Sequence, residues 1–335
     1  MKVFEFDSIA ESYSGLLKYV LENGDEVSPR GMLTKEITPA TVVINNPRKR
    51  VIDNKIRKLN YGFMIAELFW ILGAKNDLSI THYNKQWLNF SDDGNILNGA
   101  YGQRVFDWNK DRIGDNVNQF LEVVERLKKD PESRQGTIVL FDPNKDFKNT
   151  KDVPCTNLMR FSIRNGKLNM RVVMRSNDLW FGYPYDVYNF TVLQEIMAGM
   201  LNVEVGTYTH IVDSLHLYEM HFEQAKELID NPQSSVYDTF EPIDARLDDE
   251  KFTNTMNIAF EVESITRDHG DEVGVSTLIE RIKLVDNEYW RSIIALIATY
   301  NIRKAKRSQD EIDQLKALIT NEFQYLIQNW NEMKK

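Results

Sequence analysis

The chain has 335 residues, 42% of them hydrophobic, enough to bury a sizeable core in roughly one to three domains. Its 50 acidic residues outnumber its 41 basic ones for a net charge of -9, so no direct nucleic-acid binding is expected and any phosphate it binds must meet a local arginine cluster. One cysteine, Cys155, excludes an internal disulfide framework and a multi-thiolate zinc site, and points to a reducing compartment.

Along the chain, the first twenty residues carry acids where a signal peptide carries bases, and no apolar run reaches the roughly 18 residues that span a bilayer. A cytoplasmic protein with no membrane partner is the expectation, in the host cytoplasm if the gene is viral. Residues 9–21 have helical apolar spacing, and SPRGMLTKEI reads as loop then strand, which puts Arg30 in a loop. Residues 61–74 read as a helix in which Glu67 is the only charge. Its neighbours three and four positions away are Phe63, Met64, Trp70 and Ile71, so no polar face is available and a raised pKa is predicted.

Two β-type runs over residues 159–174 flank Asn165-Gly166, a strong two-residue hairpin turn. If Arg164 pairs with Lys167, Cys155 falls opposite Ser176 and beside Arg175. Residues 188–201 read as a helix with Asp186 just before its start, and SLHLYEMH as a strand with His216 and Tyr218 on one face. After about residue 228 an acidic stretch, EPIDARLDDEK, leads into helical patterns over residues 276–305 and 308–333. The pattern is that of a mixed α/β or α+β body, residues 1–240, with a helical extension, residues 241–335.

Each candidate has a plain structural alternative. Cys155 beside a guanidinium has its thiolate favoured, and the thiolate is the nucleophile; alone it reads as a small buried apolar residue. Glu67 can shuttle protons near neutral pH or face solvent. Asp186 is either a ligand acceptor or a helix N-cap. His216 alone reads as a structural histidine, and the five-residue spacing to His221 lacks a matching carboxylate, so no metal is assigned. There is no Gly-rich phosphate loop, leaving Arg30, Arg134, Arg175 and Ser176 as the phosphate candidates.

These residues occur in an order that resembles the thymidylate synthase family over about residues 13–227. DVPCTNLMRF is similar to that family's nucleophile segment, implying Cys155 as the attacking thiolate. MRSNDLWFGYPYDVYNF resembles the segment in which Arg175 and Ser176 hold the nucleotide phosphate and Asp178 touches folate and base. AELFWILG implies Glu67 as the catalytic glutamate, and YNKQW and NGAYGQRV imply Trp87 and Tyr101 near the folate and reaction centre. SLHLYEMHF implies His216 and Tyr218 on the deoxyribose hydroxyl; SPRG supplies Arg30, and DPESRQG supplies Arg134, which in the family crosses a homodimer interface to the partner's phosphate. The implied fold is α+β, a large mixed sheet with surrounding helices, and the implied co-substrate is 5,10-methylenetetrahydrofolate.

The departures bear on substrate. The family's asparagine is Asp186 here, and a carboxylate accepts from the amino group of cytosine where uracil offers a carbonyl. Phage deoxycytidylate hydroxymethylases share that aspartate and the threonine after the nucleophile, here Thr156. Gln135 replaces a second arginine, which alters the phosphate cradle. The polar end NWNEMKK replaces an apolar tail that closes over folate, which favours capture of the intermediate by water over hydride. Together these imply deoxycytidylate 5-hydroxymethylation. The competing readings are a methyltransferase acting on deoxycytidylate or deoxyuridylate, and a non-catalytic nucleotide-binding member of the family.

Overall fold

A computed structural model describes residues 2–108 and 116–332. The chain opens with β1 (Lys2–Phe6), α1 (Ile9–Asn23), the short β2 (Asp25–Val27) and β3 (Thr34–Ile37), and β4 (Ala40–Ile44). Next come α2 (Tyr61–Leu72), α3 (Tyr101–Phe106), α4 (Gln119–Lys129), β5 (Thr137–Val139) and the single turn α5 (Pro143–Asp146). The central hairpin is β6 (Thr156–Arg164) and β7 (Lys167–Asp178), followed by α6 (Tyr183–Met200), β8 (Glu204–Tyr218) and α7 (Phe222–Asp230). Five helices follow: α8 (Asp249–Asp268), α9 (Val275–Lys283), α10 (Glu288–Lys304), α11 (Gln309–Lys316) and α12 (Asn321–Glu332). The end of the polar tail, residues 333–335, lies outside the described residues.

The strands form one sheet in the order β1-β4-β8-β7-β6-β5, with β3 also paired to β8 and β2 at its side. β1–β4 and β7–β8 are parallel and the other pairs antiparallel, so the sheet is mixed and the architecture is α+β. Its central strands alternate buried and half-exposed residues, as a sheet covered by helices on one face requires; Met170, Val172 and Met174 of β7 and Tyr208, His210 and Val212 of β8 point into the core. Helix α6 covers that face.

The hairpin turns at Asn165 and Gly166, both at positive φ (53° and 72°), and Arg164 pairs with Lys167. The predicted register holds from there to Leu158↔Val173. A bulge between Leu158 and Thr156 then shifts the pairing to Thr156↔Met174, so Cys155 lies opposite Arg175 and not Ser176. The Arg175 N–H donates to the Cys155 carbonyl at 2.9 Å.

All twelve residues of α2 are buried, which is why a helix this apolar carries its one carboxylate inward. Helix α6 starts at Tyr183, five residues earlier than its periodicity indicates; Pro184 in its first turn suits a helix start, since its missing N–H is among those without an intrahelical partner there. The predicted helix over 276–305 is two helices broken at residues 284–287, where Asn287 caps α10 by accepting from the Trp290 N–H at 3.1 Å. The pattern over 308–333 likewise divides into α11 and α12.

The later helices share the core with α2 and α6. Tyr300 of α10 lies so close to Gly62 of α2 that a Cβ there would sit 2.1 Å from its ring. Glu195 of α6, fully buried, pairs with Arg50 and with Arg48 (3.0 Å), and its other donor is the Ala245 N–H at 2.9 Å. Arg50 reaches on to the Tyr289 hydroxyl, and Trp290 donates its indole N–H to the Ala245 carbonyl at 2.8 Å. A charge cluster of this kind is compensated only while every member stays in place.

Candidate active site

The site lies where the C-terminal ends of β7 and β8 meet the first turn of α6, with α2 and α3 beside it. Strand register alone places Ser176 beside Ser214 and Asp178 beside His216. His216 is buried edge-on to Tyr218, their ring centroids 5.2 Å apart. Asp178 accepts from the Trp180 and Phe181 N–H groups at 2.6 and 3.1 Å, which fixes the turn between β7 and α6.

Cys155 is half-buried, with its Sγ 3.6 Å from a guanidinium nitrogen of Arg175. That guanidinium is held by the Pro154 and Val153 carbonyls at 3.1 and 2.9 Å, so its place beside the sulfur is set by backbone. Burial pushes the thiol above its ordinary pKa, and the positive charges of Arg175 and Arg30 act against that rise without cancelling it. The sequence expectation of a favoured thiolate is therefore corrected: desolvation outweighs the arginine. Arg30 itself sits exposed in the loop Pro29–Gly31, at φ 54°.

Tyr101, at the start of α3, stacks on Phe190 with centroids 6.0 Å apart and accepts the Thr156 N–H at 3.2 Å, one residue from Cys155. Two strong contacts hold that arrangement. The Gly99 N–H donates to Asp152 Oδ2 at 2.6 Å, and Arg104 forms a two-pronged pair with Asp146 at 2.6 and 2.7 Å. Thus the segment before the thiol is tied to the segment carrying Tyr101.

Glu67 accepts from the Asn189 side-chain N–H at 2.8 Å, and burial, with the nearby negative charge of Asp186, raises its pKa to about 8. Asp186 is not a helix cap. It lies in the first turn of α6, its own N–H donating to the Gly182 carbonyl, and its carboxylate accepts from the Asn177 side-chain N–H at 2.7 Å. Burial raises it to about 7, and its charge acts on Glu67, Tyr101 and Cys155 alike. Two carboxyls with pKa values raised toward neutrality interact with each other, and Asp186 acts on the thiol as well, an arrangement suited to proton transfer at a heterocycle.

Trp87 packs against Trp70 (5.7 Å, 79°) and Phe63 (5.8 Å, 54°), with Leu88 and Phe90 exposed next to it. This apolar wall fits a flat conjugated co-substrate such as a reduced folate.

One predicted site residue is not brought in. Arg134 is exposed, and its carbonyl accepts from the side chain of Arg160, five residues along the chain from Cys155. Gln135, which stands in for a second arginine, is bonded to Arg126.

Sequence reasoning missed Arg57, Asn177 and His210. Arg57 is buried, donates to the Trp180 carbonyl at 3.0 and 2.5 Å, and lies over the Trp180 and Tyr185 rings at 5.2 and 5.8 Å. Its signal was weak: one arginine in a basic loop. Asn177 and His210 are taken up below.

Residues 11–261 match the family described as thymidylate synthase. A deoxyuridylate hydroxymethyltransferase of Bacillus phage SP01 is 39% identical over 226 residues, 65% of this chain and 59% of the phage protein. A Methanothermobacter marburgensis protein with a provisional thymidylate synthase name is 32% identical over 228 residues, covering 67% of this chain and 96% of its own length. A thymidylate synthase of Bacillus mojavensis is 26% identical over 236 residues, 67% and 84% of the two chains. Among the described residues no helix is long and apolar enough to cross a membrane.

Proposed function

The chain belongs to the thymidylate synthase family, and from that premise we propose that it hydroxymethylates C5 of deoxycytidylate. The observation that carries this reading is Asp186, whose buried carboxylate accepts from the Asn177 amide and interacts electrostatically with Cys155, where an acceptor for a cytosine amino group is needed. Arg30, Arg175 and Ser176 hold the phosphate, and His216 and Tyr218 the sugar. Arg134, exposed beside Arg160, completes the cradle of the partner subunit in a homodimer with shared sites. Residues 1–240 carry the chemistry and residues 241–335 brace it.

In this mechanism the Cys155 sulfur bonds to C6, and the C5=C6 electron pair moves toward C5 and the N3 edge. Asp186, titrating near 7, gives N3 a proton as that edge becomes electron-rich. Methylenetetrahydrofolate, when bound against Trp87, supplies the one-carbon unit that C5 takes. Glu67, protonated below about pH 8, delivers a proton to the folate nitrogen as the one-carbon unit would part from tetrahydrofolate, and in its charged form receives the one that leaves C5, so that an exocyclic methylene remains. Tyr101 holds the strand start so that sulfur and ring stay aligned. Water adds to the exocyclic carbon, and the S–C6 bond breaks to return the thiolate.

A second reading, hydroxymethylation of deoxyuridylate, is favoured by the likeness to the phage SP01 protein. The neutral form of Asp186 supplies a donor that uracil O4 can accept. Incubating the full chain with methylenetetrahydrofolate and each nucleotide, then weighing the product, separates these readings. Deoxycytidylate gaining one CH2O unit supports the proposal. Turnover of deoxyuridylate alone establishes the second reading, and a gain of CH2 assigns a methyltransferase.

A further inference from the structure

A line of hydrogen-bonding side chains runs from the centre of the sheet to Asp186. The Tyr208 hydroxyl lies 2.8 Å from His210 Nδ1, His210 Nε2 lies 3.0 Å from Asn177 Oδ1, and Asn177 Nδ2 donates to Asp186 Oδ2 at 2.7 Å. Tyr208 and His210 are fully buried and Asn177 nearly so. Tyr183 of α6 covers the imidazole edge-on, its centroid 5.4 Å away. Gly182 leaves the space for the last bond: a Cβ there would come within 2.9 Å of Asn177 Nδ2 and 3.2 Å of Asp186 Oδ2.

Burial holds His210 neutral, with a pKa of about 3, so one ring nitrogen donates and the other accepts. Two arrangements satisfy the imidazole. In one, Tyr208 O–H donates to Nδ1, Nε2–H donates to the Asn177 carbonyl, and the Asn177 amide N–H faces Asp186. In the other every bond is reversed. The Tyr208 proton is then left with no acceptor among the described residues, and the Asn177 oxygen faces an oxygen of Asp186. Both defects fall in a buried place and both count against the reversed arrangement. The first arrangement fixes Asp186 Oδ2 as the recipient of an N–H, leaving the other carboxylate oxygen for the base.

We propose that His210 is a positioning residue that, with its tautomer locked by Tyr208, orients the Asn177 amide so that Asp186 stays an acceptor and cytosine is chosen over uracil. The proposal rests on the deoxycytidylate reading above. With the relay cut, Asp186 loses a bond that favours its charged form, the neutral acid gains population, and its O–H can donate to uracil O4.

The test is the ratio of kcat/KM for deoxycytidylate to that for deoxyuridylate in the purified full chain. His210→Phe keeps an aromatic ring beside Tyr183 and removes both nitrogens; we expect the ratio to fall about tenfold or more. His210→Gln restores an amide N–H where Nε2–H stood and should return the ratio to within about threefold of wild type. If His210→Phe does not fold, Asn177→Leu cuts the same line from the other end and carries the same expectation. A folded His210→Phe or Asn177→Leu with the wild-type ratio overturns the relay while leaving the substrate reading standing. A wild-type protein without preference for deoxycytidylate overturns the substrate reading, and the relay's role with it.

Discussion

Replacing Glu67 with glutamine should make the protein more stable and far less active, with the stability gain growing as pH rises. Glu67 moves from its ordinary 4.5 to about 8 on folding, chiefly by burial. An acid whose pKa is raised in the folded state binds its proton more tightly there than in the unfolded chain. Its contribution is therefore complete below pH 4.5, is lost progressively up to about 8, and is flat above. At about 1.4 kcal/mol per pH unit the full gap corresponds to about 5 kcal/mol. Relaxation and water penetration around a buried charge reduce the realised figure, and we expect ~2 kcal/mol between pH 5 and pH 9. Glutamine keeps an oxygen for the Asn189 N–H, and the Asn189 oxygen, buried without a partner, is at hand for the new amide. Urea unfolding of both proteins at pH 5, 7 and 9 reads the difference directly. Asp186 titrates in both proteins, and its repulsion of the Glu67 charge adds to the difference in the same direction. In parallel, kcat should drop by about 10²–10⁴ through loss of the proton shuttle. A stability difference that does not change with pH would refute the assignment of Glu67 as a buried acid held neutral near pH 7.

Asp186→Asn should shift the kcat/KM ratio toward deoxyuridylate by about ten- to a thousandfold, about 1.4–4 kcal/mol of differential transition-state binding, with the melting temperature nearly unchanged; an unmoved ratio removes the main support for cytosine. Mixing Arg134→Ala and Cys155→Ala subunits, each inactive alone, should restore about a quarter of the wild-type sites after subunit exchange, because each heterodimer then holds one intact site; no recovery after confirmed exchange argues against a shared site. Glu195→Ala should cost about 3–5 kcal/mol in urea unfolding, since Arg50 is then left charged and buried without its partner; a loss under 1 kcal/mol, well below that of a broken buried pair, would show that water reaches the cluster.

What the sequence made readable follows from the range of each signal. The Asn165-Gly166 turn is local, so the hairpin and the approach of Cys155 to Arg175 could be worked out on paper. Glu67 was readable because a twelve-residue helix with one charge and no polar face has only one way to lie. The start of α6 was misplaced because periodicity weighs Leu193 and Ile196 more than a Tyr-Pro-Tyr segment whose role is to open the helix. Helix α8 was missed since polar residues, Thr255, Glu263 and Thr266, interrupt its buried face. Asn177, His210 and Glu195 gave no local sign at all. Apart from Tyr208, two residues from His210, their partners are 9 to 145 residues away, and only the folded sheet and helix bring them together.

The bulge at Asn157 makes one part of this site depend on backbone more than on residue identity. Asn157 faces no single partner on β7; its carbonyl accepts from the Leu140 and Phe141 N–H groups at 2.8 and 3.2 Å, and the extra residue brings Cys155 level with Arg175. Substitution at 157 keeps that carbonyl and should be well tolerated. Excision of this one residue would leave Thr156 opposite Met174 and Cys155 opposite Arg175, now by even pairing, and take away the acceptor of the Leu140 and Phe141 N–H groups. Drift by point mutation can therefore pass through this position freely, whereas a single-codon deletion there would leave the sulfur with its arginine and cost the chain after β5 its anchor.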